Sequence, residues 1–199
     1  MGSNSFSVGG IVTNANIYGI NTSSITTYLG ALSGSGGFTK VGLGYEVLSG
    51  SNTYSGPTIV SAGVLMLSNT NGPALYNGGN GTVAIAYNGA GGNNQYSGGL
   101  MFGAANQLGT NVDIVMQAPN NWSYFQLNGY NQTIGNLISG TTNPGSLVVE
   151  NAETGTVGAA TLTVTQTTNS TFSGYMRDGF ASGTFALVKN GAATLTLSG

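Results

Sequence analysis

Side chains capable of acid–base or metal chemistry are so few that each can be considered in turn. The 199 residues contain five acidic and three basic side chains, and no histidine or cysteine. Their absence removes the usual nucleophilic triads and most metal-ligand sets. Catalysis by two carboxylates remains, as in glycoside hydrolysis. The chain offers five carboxylates for it: Glu46, Asp113, Glu150, Glu153 and Asp178.

Glu150 and Glu153 are the acidic pair that lies close in sequence, in "VVENAETG". We interpret them as charged residues that flank a turn, because a hydrolase or lyase needs acids and bases clustered in a groove. Calcium needs several oxygen ligands in a D-x-D-x-D-G arrangement, which this segment lacks. The sequence therefore predicts a protein that is not an enzyme, with no catalytic residues, no metal site and no cofactor.

Charge also limits the partners. Charged residues make up 4% of the chain, the net charge is −2, and Lys40, Arg177 and Lys189 are scattered. Nucleic acids and anionic membranes require clustered basic residues, and no apolar run reaches the ~18 residues of a membrane helix. Residues 1–19 lack the charged start and apolar core of a signal peptide. We expect no nucleic-acid binding and no membrane insertion by this segment, with export and anchoring signals outside it.

The pattern of apolar residues predicts an all-β fold. Apolar residues make up 40% of the chain, which argues against disorder despite 35 glycines. Short β-branched runs such as "TIVSAGVLMLS", "GTVAIAY" and "ATLTLS" alternate with turn clusters such as "NGAGGNN" and "GTTNPG". No segment has the apolar spacing of an amphipathic helix over three turns.

Internal repeats predict the architecture. Residues 187–199 repeat part of residues 38–65, with Lys40, Gly42, Leu48, Ser49 and Gly50 matching Lys189, Gly191, Leu197, Ser198 and Gly199. A shorter motif with a central aromatic recurs at Tyr54, Tyr96 and Phe172. The irregular spacing favours a solenoid over a sandwich or propeller. Coils of ~20–25 residues predict ~8–10 coils, which would span ~40–50 Å at the strand spacing of a sheet.

These repeats resemble a known family. "FTKVGLGYEVLSGSNTYSGPTIVSAGVL" and "LVKNGAATLTLSG" are similar to the autotransporter-associated β-strand repeat, also called the passenger-associated transport repeat. The resemblance implies a right-handed parallel β-helix (β-solenoid) from a bacterial surface or secreted protein. Two positions depart from the family pattern, because Gly44-Tyr45-Glu46 stands where Gly-Thr-Leu is usual and Pro57 replaces a glycine.

The repeat suggests a structural role for each of its prominent residues. We expect coil corners with positive φ at six glycines: Gly42, Gly50, Gly56, Gly63, Gly191 and Gly199. Asn52 is expected to stack on an asparagine of the next coil. Lys40 and Lys189 are expected to point to solvent from corners, the alternative being a Lys–Asn isopeptide crosslink. The recurring aromatics are interpreted as stacked structural residues, with a sugar-binding platform as the alternative. Five apolar residues are expected to face inward: Leu48, Ile59, Val64, Leu65 and Leu67.

The two ends of the chain are complementary in sequence. Residues 2–12 align without gaps on residues 50–60, and the proposed contact residues there are Gly2, Ser3, Asn4, Phe6, Ile11 and Val12. The half-repeat at 187–199, which contains Leu195 and Leu197, would be completed by residues 2–12 of another copy. Residues 1–199 are therefore interpreted as one β-solenoid unit. It would be either one repeat of a tandem array or a subunit that stacks head to tail.

The predicted function is a structural rod or filament at the bacterial surface whose partner is the protein itself. An adhesin or glycan-binding passenger domain is the alternative, with host or environmental glycans as partners. Ice binding by rows of threonine, as in "TLTVTQTT", is less favoured because β-propensity already explains outward threonines.

Overall fold

The computed structural model describes most of the chain. It describes residues 6–7, 11–13, 25–42, 44–76, 81–86, 98–109, 111–118, 122–140 and 147–199. No helix within these ranges is long and apolar enough to span a membrane.

Short strands account for the regular structure of the described residues. In chain order they are β1 (Phe6–Ser7), β2 (Ile11–Thr13), β3 (Ile25–Tyr28), β4 (Leu32–Ser33), β5 (Phe38–Val41), β6 (Tyr45–Leu48), β7 (Thr58–Val60), β8 (Gly63–Leu67), β9 (Thr82–Ala86), β10 (Gly98–Phe102), β11 (Asp113–Gln117), β12 (Ser123–Gln126), β13 (Gln132–Ile134), β14 (Leu137–Ser139), β15 (Leu147–Ala152), β16 (Ala160–Thr165), β17 (Ser170–Phe172), β18 (Tyr175–Gly179), β19 (Phe185–Asn190) and β20 (Leu195–Leu197).

The strands form three faces, each built from one strand position of every coil. Face A is a seven-stranded sheet in the order β18-β15-β12-β10-β8-β6-β3. Face B runs from β1 and β4 through single bridges at Asn52, Leu75 and Leu108 to β13, β16 and β19. Face C is the sheet β14-β11-β9-β7-β5-β2, continued by β17 and β20. The Ser170 hydroxyl joins β17 to this sheet by donating to the Leu137 carbonyl at 2.7 Å.

All strand pairs within these faces are parallel, as expected when each coil lies on the one before it. The described strands occupy eight levels, of which the first contributes β1 and β2 and the last contributes β18, β19 and β20. The predicted all-β parallel β-helix is therefore confirmed, and its eight levels agree with the expected coil number.

Apolar side chains from the three faces fill the interior. On face A, Leu65, Leu100 and Phe125 are in register and none of them has any exposed surface. Leu48 and Leu67 are also buried, as expected. Ile59 is not, because Thr58 and Val60 supply the inward positions of β7. In β7 the inward positions are thus displaced by one residue from the predicted ones, and a displacement of one residue exchanges the two sides of a strand.

The six corner glycines fall into two groups. Positive φ occurs at Gly42 (74°), Gly63 (64°) and Gly191 (82°), but Gly50, Gly56 and Gly199 are not among the residues with positive φ. These three lie where two coils approach too closely for a side chain; a Cβ at Gly50 would lie 1.9 Å from the Gly30 carbonyl oxygen. Glycine is thus required at these corners for two different reasons.

Substitution of Gly63 provides a test of the fold. A Cβ there would lie 2.4 Å from the Gly44 carbonyl oxygen, 2.5 Å from that of Gly42 and 2.8 Å from the Lys40 Nζ, with φ at +64°. We expect Gly63→Ala to lower the free energy of unfolding by at least about 2 kcal/mol in chemical denaturation. The matched control is Gly158→Ala, because Gly158 has open space around its Cβ position. Equal stability of the two variants would contradict this packing of the corner.

Candidate functional site

The Lys-x-Gly corner of residues 40–42 is the most elaborate polar feature of the repeat. Lys40 lies in β5 and is fully buried. Its Nζ donates to the carbonyl oxygens of Val41 at 2.9 Å, Gly42 at 2.7 Å and Ala62 at 3.2 Å. The first two acceptors belong to the corner between faces C and A, and Ala62 belongs to the following coil. One ammonium group therefore closes a corner and binds the next coil to it.

This geometry differs from the expectation that Lys40 points to solvent. Burial lowers the pKa of Lys40 to about 8, although the negative charge of Glu46 opposes this shift. Glu46 is itself 4% exposed, and burial raises the pKa of its carboxyl group. It occupies the repeat position held by Leu195 in the second copy. The departure from the family pattern at Glu46 thus places an acid in the interior close to a buried lysine.

The second copy of the motif builds the same local turn without the covering coil. The Lys189 Nζ donates to the Gly191 carbonyl at 2.8 Å, but Lys189 is exposed. This turn joins β19 to β20 and therefore lies between faces B and C. The motif of the first copy lies between faces C and A. The sequence motif thus specifies a type of corner, not a particular corner of the helix.

Asn52 connects three successive coils. Its Oδ1 accepts a hydrogen bond from the Leu32 N–H at 2.9 Å, and its Nδ2 donates to the Ala74 carbonyl at 2.8 Å. The side chain has no exposed surface. The expectation of an amide stacked on another asparagine is therefore wrong, because the partners of Asn52 are backbone groups of the coils on either side.

A row of buried amides extends this arrangement and was missed in the sequence. Gln107 Nε2 donates to the carbonyl oxygens of Asn69 at 2.9 Å and Ala105 at 3.0 Å. The Gln107 N–H in turn donates to Gln132 Oε1 at 2.9 Å. Asn69, Gln107 and Gln132 are all at most 3% exposed. In a chain rich in asparagine and glutamine nothing in the sequence distinguishes these buried amides from those of surface turns.

The recurring aromatics lie inside the solenoid where the structure describes them. Tyr54 is 2% exposed, its ring centroid lies 6.4 Å from that of Phe38, and its hydroxyl lies 2.5 Å from the Thr58 hydroxyl. Burial raises the pKa of Tyr54 to about 12. Phe172 has no exposed surface, and Tyr96 lies outside the described residues. A sugar cannot reach Tyr54 or Phe172 without unfolding the coil.

The proposed contact residues lie at opposite ends of the solenoid. Gly2, Ser3 and Asn4 are outside the described residues. In the backbone, Phe6 pairs with Leu32, and Ile11 and Val12 pair with Thr39 and Lys40, so β1 and β2 form the first level. Leu195 and Leu197 belong to β20 in the last level, where Leu197 is 53% exposed.

Glu150 and Glu153 lie on either side of the end of β15, next to the bend at 153–155, and both are buried. Glu150 lies within β15 without exposed surface, and Glu153 is 9% exposed. Arg177 Nε donates to Glu150 Oε2 at 2.8 Å, and the Arg177 Nη2 donates to Glu153 Oε1. Gln126 Nε2 donates to Glu150 Oε1 at 2.6 Å. Both oxygens of Glu150 are thus bound by neighbouring side chains.

The two aspartates have structural partners. Asp113 Oδ1 accepts from the Asn136 N–H and side-chain amide, both at 2.8 Å, and Asp178 Oδ1 accepts from the Phe185 N–H at 2.7 Å. Within the described ranges no group of three carboxylates that could hold a metal ion is found. The polar groups of the repeat thus serve mainly to close corners and to join coils.

Comparison with known proteins identifies the repeat. Residues 38–67 and 187–199 match the family described as passenger-associated-transport-repeat. No curated protein and no solved structure shows a significant match to the chain. The two matched segments are those that contain the Lys40 and Lys189 corners, so the resemblance seen in the sequence is confirmed for these segments.

Replacement of the buried lysine tests its role in the corner. Lys40→Met removes the donor shared by three carbonyl groups, and buried acceptors without a donor are costly. We expect the free energy of unfolding to fall by about 2 kcal/mol in urea denaturation. The matched control Lys189→Met removes one exposed interaction and should change it by less than about 0.5 kcal/mol. Similar decreases in the free energy of unfolding in both variants would show that the burial of Lys40 and its hydrogen bond to the Ala62 carbonyl do not contribute to stability.

The pH dependence of stability provides an independent test. Because the folded pKa of Lys40 is lowered to about 8 from 10.5, the unfolded chain binds the extra proton between these values, so stability rises with pH. We expect an increase of about 1 kcal/mol from pH 8 to pH 9, at up to ~1.4 kcal/mol per pH unit. The range stops there because Tyr54 and Tyr124, whose pKa values burial raises to about 12, lower the stability as the pH approaches ~10. Lys189→Met should retain this increase and Lys40→Met should abolish it. A wild-type protein whose stability does not rise over this range would contradict the lowered pKa.

Proposed function

We propose that this chain is a structural unit of a secreted or surface-attached bacterial β-solenoid, and that copies stack end to end into a rod. The passenger-associated transport repeat and the parallel β-helix support a secreted or surface protein. In this proposal, another copy of the same chain continues the solenoid beyond the last described coil. It also assigns the chain no catalytic activity, since Asp113, Glu150, Glu153 and Asp178 have structural partners and Glu46 is buried in the interior.

The observation that carries this proposal is the difference between the two repeat copies. Lys40 is fully buried and bound by the coil that follows it, whereas Lys189 makes the same turn contact but is exposed. Leu48 is 1% exposed, whereas its counterpart Leu197 is 53% exposed. The second copy therefore has the local structure of a corner that accepts a following coil, and it lies in the last level.

The last strand of face C, β20, has backbone hydrogen-bonding groups that point toward the position of a following coil. The Ser198 N–H donates to the Phe172 carbonyl, and the Thr194 carbonyl accepts from the Ser170 N–H. Since successive residues of a strand point their backbone groups to opposite sides, those of Leu195 and Leu197 point away from β17. These groups face away from all strands that the structure describes. An edge of this kind is a template for another strand.

The opposite end is suited to receive such a contact. Ile25 in β3 is 53% exposed and Leu29 is 79% exposed, and β3 ends the seven-stranded sheet of face A. The strands β1 and β2 occupy the ends of faces B and C. Charge offers little resistance to contact between the two ends, because the net charge is only −2.

The positions of the two motifs determine how copies would be oriented. In the first repeat the segment 50–60 occupies faces B and C, and so do the aligned strands β1 and β2. In the second repeat the matched residues 187–199 occupy faces B and C, so a completing segment would lie on faces A and B. A copy that completes the repeat is therefore rotated by one face, or about a third of a turn. Eight levels at ~4.8 Å give a rise of about 40 Å per copy.

Electron microscopy of the purified chain tests this proposal directly. We expect filaments with a layer spacing of ~4.8 Å, a rise of about 40 Å per copy and a rotation of about a third of a turn between copies. Dispersed short rods at all protein concentrations would contradict stacking of separate chains. Filaments without rotation between copies would contradict completion of the repeat by residues 2–12.

A pair of charge substitutions separates end contacts from lateral ones. Leu197→Arg places a charge in the last strand, at a site that is already 53% exposed, so the monomer should fold normally. We expect it to abolish filaments because an arginine cannot be buried unpaired between coils. Tyr76→Arg is the control, since Tyr76 is 57% exposed at a level away from both ends. Loss of filaments in both variants, or in neither, would contradict contact through the last coil.

A further inference from the structure

Lys189 belongs to an inward row of the solenoid, although it is exposed. Its register partner on the preceding coil is Val164, which has no exposed surface. Lys40 is likewise the register partner of the fully buried Val60, which lies on the coil that follows. Both lysines therefore lie in rows that fill the interior. Lys189 is exposed because β19 is the last strand of face B that the structure describes.

Stacking of copies, on which this inference rests, would bury Lys189. Completion of the repeat by residues 2–12 of the next copy would place Val12 above Lys189. Val60 has the same place above Lys40 in the first repeat, where the lysine has no exposed surface. The Lys189 ammonium group would thus leave water on stacking. Such a transfer costs free energy unless a counter-charge and hydrogen bonds replace the water.

The two copies of the repeat differ in the counter-charge that is available to the lysine. The negative charge of Glu46 acts on Lys40 and opposes the effect of burial on its pKa. The corresponding position of the second copy holds Leu195, an apolar residue of β20. The Lys189 Nζ donates to the Gly191 carbonyl at 2.8 Å, but it has no carboxylate at the position equivalent to Glu46. Burial of Lys189 is therefore harder to compensate than burial of Lys40.

The surroundings of Lys189 offer no other acid among the described residues. The strands and corners that pack beside it contain no ionisable side chain, namely β16, β17, β20, 166–169 and 191–194. Asp178 accepts from the Phe185 N–H at 2.7 Å, at the opposite end of β19. The remaining charged side chains near this end pair with one another on face A, namely Arg177, Glu150 and Glu153. Residues 2–14, which would cover Lys189 in a stack, contain no ionisable side chain either.

The next charge along the row is a second lysine. Val12 is the register partner of Lys40 within one copy. In a stack, the row would therefore run from Lys189 through Val12 to Lys40 of the next copy. Two levels at ~4.8 Å place these lysines ~10 Å apart. Like charges at that separation repel in a protein interior, and Glu46 of the next copy can compensate only one of them.

We propose that Lys189 makes the stacking of copies pH-dependent, because each contact between copies releases the proton of this side chain to solvent. A free unit holds the proton in water and a stacked unit holds fewer protons, so a rise in pH favours the stack. A neutral amine still has N–H donors for the corner carbonyls, so the corner of residues 189–191 can close without the charge. Burial lowers the pKa of the equivalent Lys40 to about 8, which indicates that the effect lies near neutral pH.

Sedimentation of the purified chain at a series of pH values tests this inference. The critical concentration for filament formation would be measured from about pH 6 to pH 9, below the range in which tyrosine ionises. We expect it to fall by at least about tenfold over this range, because release of one proton per contact changes an association constant by up to about tenfold per pH unit. A terminal amino group also titrates near pH ~8, so substitutions must identify the group responsible.

Three substitutions make this identification. Lys189→Met removes the charge, and its critical concentration should stay constant with pH to within about threefold. Leu195→Glu introduces the acid of the first copy and should weaken the pH dependence, because a lysine beside a carboxylate can keep its proton. Val188→Lys is the control, since Val188 is 43% exposed and its neighbour Lys189 holds the inward position. This added lysine stays in water, so the pH dependence of the wild type should remain. Circular dichroism would verify that each variant is folded.

Two outcomes would overturn this inference and leave the stacking proposal intact. The first is that wild-type filaments form with a critical concentration that does not change with pH. The second is that Lys189→Met retains the full pH dependence, which would assign it to another group. Absence of filaments at every pH would instead contradict stacking itself, and this inference with it.

Discussion

The whole structure depends on satisfying the backbone polar groups of each coil through the coils on either side. In a parallel solenoid the strands do this through continuous ladders, but the corners interrupt the ladder and leave buried N–H and C=O groups that cost free energy when unpaired. Here side chains complete the corners. Lys40 donates to three carbonyl oxygens, and Asn52 links the Leu32 N–H to the Ala74 carbonyl. The polar residues of the repeat are thus elements of the backbone hydrogen-bonding scheme.

The same constraint explains why so few charges suffice. Amides such as Gln107 can donate and accept at once without the desolvation cost of an ion, and Asn52, Gln107 and Asn136 bridge neighbouring coils in this way. The buried charges are accompanied by counter-charges, as with Lys40 near Glu46 and Arg177 beside Glu150 and Glu153. A fold that closes its corners with amides needs little charge for its own stability.

The sequence predicted those features that repeat and missed those that depend on register. Short β-branched runs between turn clusters predicted the all-β parallel β-helix. The direction of Lys40 was predicted wrongly because a lysine is usually solvated, and only the next coil, with Ala62, supplies its third acceptor. Ile59 was wrongly predicted to face inward, because the alternation of residue types alone does not determine which of two adjacent residues faces the core.

The pairing of Arg177 with Glu150 shows a further limit of sequence reasoning. These residues are register partners on adjacent levels of face A, yet the aromatic motif at Phe172 that lies between them does not fix the length of the coil, so this register could not be read from the sequence. Likewise, the sequence does not distinguish Gly99 from the many turn glycines. Only its register partners on the adjacent levels, Val64 and Tyr124, show that it interrupts an outward row of side chains on face A. Features formed between coils of unequal length are therefore invisible until the chain is folded.

The division between axial and lateral surfaces follows from the same geometry. Assembly of a solenoid uses the backbone groups at its ends, which are determined by the ladder and hardly depend on the outward side chains. The outward rows of face A take no part in the ladder beyond their backbone, so they can vary without disturbing it. Tyr124 and Tyr175 belong to one such row with Val148 between them, and Trp122 stacks on both tyrosines. An outward aromatic stack is not needed to close a coil, so the lateral surface can change in sequence while the ends keep the geometry that the ladder imposes.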